Sequence, residues 1–102
     1  MDEVKILGLV DGDLQISLSG DIDLGNAEAF YQTVMDAYRG ASANVTFDCK
    51  ELNFIDSTTL GTFVKILKNL KSDGKKMKLC NLQSKIKKLF LICSLDSIME
   101  IA

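Results

Sequence analysis

Between Val45 and Leu70 the spacing of apolar residues changes from two to three-and-four, across a short polar junction. Val45, Phe47 and Cys49 alternate with Thr46 and Asp48, the pattern of a strand with one buried face. From Leu60 the apolar residues fall at Leu60, Phe63, Val64, Leu67 and Leu70, one face of a helix; Lys65, Lys68, Asn69 and Lys71 take the opposite face. A short apolar strand at Met77–Cys80 follows. A strand, a helix and a second strand in that order form a crossover, which builds a parallel sheet with right-handed connections.

The rest of the chain repeats the scheme. Val4 to Val10 reads as a first strand, Asp11-Gly12 as a hairpin turn, and Leu14, Ile16 and Leu18 as a second, half-buried strand ended by Gly20. Asp21 to Asn26 is a polar connection, with Asp23 and Asn26 as candidate caps. The next helix places Ala27, Phe30, Tyr31, Val34 and Tyr38 on one face, with Gly40 as its expected C-cap. A strand over 44–49 is followed by a connection, 51–55, whose Leu52, Phe54 and Ile55 are expected to reach the core. The central helix spans Ser57 to Ser72 and ends at Asp73-Gly74. Ser84 is the candidate cap of a third helix with Ile86, Leu89, Phe90 and Cys93 on one face, and residues 98–101 form a short last strand. The expected fold is an α/β sandwich, a mixed β-sheet covered by helices, in the order ββαβαβα with a short C-terminal tail. The 102 residues suffice for one domain, 1–102.

In such a fold the loops after the parallel strands gather at one edge of the sheet. That brings Asp21–Asn26 beside Asp56–Thr59, with acids and three hydroxyls on one edge. Asp56, Ser57 and Thr58 all have side chains that cap helices, and on spacing alone the cluster reads as a cap. Backbone N–H groups at such a junction also favour an anion, so the fold would tolerate a phosphate on Ser57. The added charge of roughly −1.5 to −2 would still act on a partner.

Composition excludes several classes. The chain has no histidine, and its three cysteines, Cys49, Cys80 and Cys93, form no CxxC pair, so neither a zinc site nor a disulfide framework is expected. All three read as small, reduced core residues. The chain has no glycine-rich phosphate loop, and no group beside Ser57 reads as a base for a nucleophile, so it is not expected to be an enzyme or to carry a cofactor. The net charge of −2 divides unevenly: residues 1–56 hold 11 acidic and 3 basic side chains, residues 57–102 hold 3 and 9. The lysines of the second half lie opposite apolar stripes, as solvated helix faces do, and no direct nucleic-acid contact is expected. Membrane insertion is not expected either, since no apolar run reaches about 18 residues. Without a signal-peptide pattern at the N-terminus, a cytoplasmic location is the default.

Four stretches resemble one family. Asp56-Ser57-Thr58-Thr59-Leu60-Gly61 is similar to the D-S-[ST]-G-L-G signature of the STAS domain, and more narrowly to bacterial anti-sigma-factor antagonists. Gly20-Asp21-Ile22-Asp23 resembles the family's G-[ED]-[LI]-D, Gly74 to Asn81 its strand after the second helix, and Ile86-Lys87-Lys88-Leu89-Phe90 its third helix. The resemblance implies a phospho-regulated binding module. Its unphosphorylated form would bind an anti-sigma factor that is also a serine kinase, and so free the sigma factor. Phosphorylation of Ser57 would switch it off, and a serine phosphatase would reset it. Asp21, Asp23, Asp56, Ser57, Thr58 and Thr59 would form the partner surface. The alternative is a docking module of a signalling assembly or lipid-transport ATPase, without phosphoregulation.

Two departures stand out. Thr59 replaces the family's usual glycine and is expected to add a rival acceptor beside Ser57. Ser94-Leu95 replaces a typical Gly-Leu after the third helix.

Overall fold

Asp11 and Gly12 take φ of 53° and 86°. Two successive positive values make the type I′ geometry whose twist suits a two-residue hairpin. The turn lays β1 (Val4–Val10) antiparallel to β2 (Asp13–Ile22), with Val10 opposite Asp13. In the computed structural model, which describes residues 1–102, the chain continues as α1 (Ala27–Ala41), β3 (Val45–Ile55), α2 (Ser57–Ser72), β4 (Met77–Cys80), α3 (Ser84–Ile92), a 3-10 turn (Leu95–Ser97) and β5 (Glu100–Ile101). The strands lie in the order β1-β2-β3-β4-β5, and every pair after the hairpin is parallel. The expected order ββαβαβα holds, and the tail adds a fifth strand.

The sandwich has two layers. Leu14, Ile16, Leu18, Val45, Phe47 and Leu79 are buried, whereas their neighbours Gln15, Ser17, Thr46 and Lys78 stay partly exposed. One sheet face therefore carries the core, and the other is polar. On the core face Phe63 of α2 packs edge-on against Phe30 of α1, Phe47 of β3 and Phe90 of α3, with centroids 5.1, 5.5 and 5.4 Å apart. Each such pair adds ~0.5–1.5 kcal/mol beyond its buried area. Phe63 thus ties all three helices to one side of the sheet.

The structure corrects several expectations. β3 does not stop at Cys49 but runs through 50–55. Its buried positions there, Cys49, Leu52 and Ile55, are spaced by three, which hides the strand from a period-two reading. Register shifts against β2 at Ser17/Ser19 and Gly20/Asp21 absorb the mismatch. Phe54 consequently points outward and is 49% exposed. α1 passes Gly40 and ends at Ser42, whose φ of 48° supplies the left-handed cap. The buried side of α2 is Thr59, Phe63, Ile66, Leu67 and Leu70, and Leu60 and Val64 are only half-buried. Ser84 lies inside α3 and does not cap it. Of the cysteines only Cys49 is in the core; Cys80 is half-buried and Cys93 exposed. Burial pushes the Cys49 and Cys80 thiols up, so neither is an activated thiolate. Ser94 takes φ of 57°, so the turn that glycine would make persists with serine.

α2 ends in a Schellman motif: Gly74 (φ 73°) donates to Lys71 O at 3.0 Å and Lys75 donates to Leu70 O at 2.8 Å. The Tyr38 hydroxyl of α1 donates to Asp73 Oδ2 beside this cap at 2.7 Å. Burial, then that hydrogen bond and the Asp73 charge, raise the Tyr38 pKa to about 12 from 10.0. The neutral phenol is therefore favoured in the fold. The stability it contributes is present below pH ~10, where the unfolded phenol ionises, and is lost as pH rises toward 12. Tyr38→Phe should cost about 0.5–1.5 kcal/mol at neutral pH, and flatten the alkaline fall in urea-unfolding stability between those values.

Candidate functional site

β2 and β3 run parallel and end side by side, with Ile22 opposite Ile55. The loops that follow them meet at that edge, and a carboxylate joins them. Asp56 caps α2: its Oδ1 accepts the Thr59 N–H at 3.0 Å, and its Oδ2 accepts the Leu24 N–H, from the other loop, at 2.9 Å. The Thr59 hydroxyl donates to Ile22 O at the end of β2 and lies 3.0 Å from Asp56 Oδ1. The Thr59 N–H foremost holds the Asp56 carboxyl below the usual carboxylate range; burial opposes it, and the Leu24 N–H and the Thr59 hydroxyl add smaller lowering effects.

The other loop is fixed by its own side chains. Asp23 Oδ1 accepts the Gly25 N–H at 2.9 Å, and Asn26 Oδ1 accepts the Asp23 N–H at 2.8 Å. The Asn26 side-chain amide donates to Asp21 O at 2.9 Å. Neither Asp23 nor Asn26 caps α1 through its side chain; Asp23 instead closes a turn inside the loop.

The six residues expected at this edge do not share one role. Ser57 and Thr58 are exposed in the first turn of α2, and Asp21 is exposed at the end of β2. Asp23 and Asp56 are half-buried and partly used in holding the loops. Thr59 is fully buried. It lies beneath the surface and fastens it, so its hydroxyl is neither a rival acceptor nor open to a partner. The spacing could have indicated this, since Thr59 precedes Phe63 and Ile66 by four and seven on the helix face that packs inward.

Two large apolar residues not expected at the site are exposed on its segments. Leu24 is 75% exposed in one loop, and Phe54 is half-exposed just before the other. Phe54 also borders a shallow groove with Asn53, Ile55, Lys85, Ile86 and Leu89, between the end of β3 and α3. A large apolar residue in a polar loop was the available indication for Leu24. The largest surface hollow lies at the other end of the sheet, among Lys71, Lys76, Met77 and Ile98, and none of the six residues lines it.

Both Asp56 oxygens are occupied and its proton affinity is depressed, so Asp56 is a poor base for the Ser57 hydroxyl. Three or more histidine, cysteine or acidic side chains nowhere converge at metal-binding distance. No helix is long and apolar enough to cross a membrane. The edge is a partly apolar, partly acidic surface that carries the exposed Ser57.

The STAS domain family model matches residues 6–102. The anti-sigma-B factor antagonist of Bacillus subtilis (strain 168) is 32% identical over 93 residues, covering 90% of this chain and 84% of that protein. A Thermotoga maritima protein crystallised as a candidate anti-sigma factor antagonist superposes with a TM-score of 0.83 at 27% identity, over 96% of this chain and 82% of that one. The Bacillus cell fate determinant SpoIIAA in its phosphorylated form shares the fold alone, with a TM-score of 0.75 at 21% identity over 97% and 90% of the two chains. With the family's four motifs in order and a β2–β3 edge carrying the signature aspartate and serine, the chain belongs to the STAS domain family.

Proposed function

We propose that this protein is an anti-sigma-factor antagonist whose β2–β3 edge binds an anti-sigma factor acting as a serine kinase, and that phosphorylation of Ser57 breaks the complex. The observation that carries the reading is the exposed Ser57 on the first turn of α2, at an edge where Leu24 and Phe54 are also exposed. Similarity to the Bacillus subtilis antagonist supports the partner class. Leu24 and Phe54 supply apolar contact area, and Asp21 and Asp23 favour a basic rim on the partner. The protein binds and does not catalyse. It works in the cytoplasm as one domain, and a serine phosphatase returns it to the binding form.

The switch is local. A kinase must align the acceptor hydroxyl with the nucleotide's γ-phosphate. After transfer, the phosphate on Ser57 faces the phosphates left on the nucleotide. Like charges about 4 Å apart repel by ~1–4 kcal/mol at water-like to surface-like dielectric. The new group also occupies volume that the docked surfaces had filled. Neither effect needs refolding, because a phosphate at a helix N-terminus is tolerated.

The test incubates the chain with magnesium-ATP and each anti-sigma factor kinase of its source organism, followed by intact mass and site mapping. One added phosphate, about 80 Da, on Ser57 and absent from Ser57→Ala is expected. Unmodified Ser57 with every kinase, or unchanged affinity after stoichiometric phosphorylation, would sink the switch. The weight would then move to a constitutive docking module.

A further inference from the structure

Seven glycines occur in the chain, and the fold accounts for most of them. Gly8, Gly12, Gly20 and Gly74 have positive φ, and a Cβ on Gly25 would crowd Asp23 Oδ1 at 3.2 Å. Gly40 lies one residue from the end of α1, where helices fray. Gly61 has no such reason. It sits in the second turn of α2, exposed, and a Cβ built there meets nothing within 4 Å. Glycine inside a helix weakens it relative to alanine. The fold would be better served by a side chain at this position.

Its surroundings indicate what the bare backbone serves. Residues four apart stack on one helix face, so Gly61 lies between exposed Ser57 and exposed Lys65. Lys68 continues the exposed side, and its ammonium forms no salt bridge; the molecule's one ion pair joins Arg39 and Asp36. Half-buried Asp23 and Asp56 lie at the start of α2, the second turn is bare at Gly61, and the exposed side beyond it is basic. Where helices pack, small residues let the two backbones come closer.

We propose that Gly61 is a specificity-determining position: the point of closest approach between α2 and a helix of the kinase partner. That helix would carry basic residues over Asp23 and acidic residues over Lys68. A side chain at 61 would hold the two helices apart and lift the partner off Ser57. The inference rests on the kinase-docking reading of the Ser57 surface.

The experiment pairs binding with melting, using the full chain and the kinase that modifies Ser57. Gly61→Ala is expected to melt higher, by about 3–6 °C, yet to bind at least ~10-fold more weakly; Gly61→Leu should bind ~100-fold more weakly still folded. Gly40→Ala is the control, with unchanged affinity. Lys68→Glu should weaken binding several-fold at low salt and less at high salt. Wild-type affinity in Gly61→Leu, while Ser57→Asp still fails to bind, would overturn the closest-approach role and leave the docking surface standing. If no kinase binds the wild-type chain, both fall together.

Discussion

Ser57→Asp is expected to weaken the complex with the anti-sigma kinase by ~10²-fold or more, with the melting temperature kept or slightly raised. The stability half of the expectation follows from position. Ser57 is the first residue of α2 and is exposed. An acid in the first turn interacts favourably with the helix dipole. The binding half follows from magnitude. A repulsion of ~3 kcal/mol corresponds to roughly a hundredfold in affinity, and a phosphate carries more charge than aspartate. Phosphorylated Ser57 should therefore bind no better than Ser57→Asp, whereas Ser57→Ala should stay within a few-fold of wild type. Calorimetric titration of the four forms measures this. A Ser57→Asp chain that binds like Ser57→Ala would show that charge at this hydroxyl is not the switch.

The second large effect is on stability, at the residue beneath the hydroxyls. Thr59→Val keeps shape and volume but removes the hydroxyl shared by Ile22 O and Asp56 Oδ1. Thr59 is fully buried, so water does not replace it there. Leaving a buried acceptor without its donor costs about 1–3 kcal/mol. In a domain of this size each kcal/mol lowers the melting temperature by about 4–8 °C. Thr59→Gly, which restores the residue usual in the family, should cost more: it loses the same bonds, empties a packed position and adds the helix penalty of glycine, about 1 kcal/mol. Thermal melts of both variants decide this. A loss under about 0.5 kcal/mol for Thr59→Val would mean that the backbone ladder alone holds the two loops together.

The two substitutions separate functions that adjacent residues share along the chain. Ser57 and Thr59 are two apart, which on a helix turns one outward and the other inward. The first should change binding with little effect on folding, and the second should change folding first. Binding should fall in Thr59→Val as well, but only to the extent that the Leu24 loop loosens when Asp56 loses one of its partners.

The sequence went far wherever local pattern and local chemistry coincided. The Asp11-Gly12 turn, the span of α2 and its Asp73-Gly74 end could be read because the turn residues and the periodicity say the same thing at the same place. The parallel order after the hairpin followed from strand–helix–strand succession, and with it the meeting of the two loops. Reading failed where a neighbour overrode the local pattern. β3 runs on to Ile55 because β2 offers a ladder that tolerates bulges, although its apolar spacing no longer alternates. Cys93 looked like a core residue by helical spacing and is exposed, because α3 ends at Ile92 and Cys93 is already its C-cap, beyond the buried Ile86 and Phe90.

The sequence by itself determined which residues would stand at the β2–β3 edge: two loops of acids and hydroxyls follow parallel strands, and parallel strands end together. Only the tertiary structure decided what each one does there. Asp56 reaches Leu24 across 32 positions of chain, and Thr59 reaches Ile22 across 37. Those bonds turn Thr59 into a buried fastener and Asp56 into a clamp, and leave Ser57 as the free hydroxyl. A hydrogen bond between distant residues depends on where the strands place their ends. No spacing along the chain encodes it.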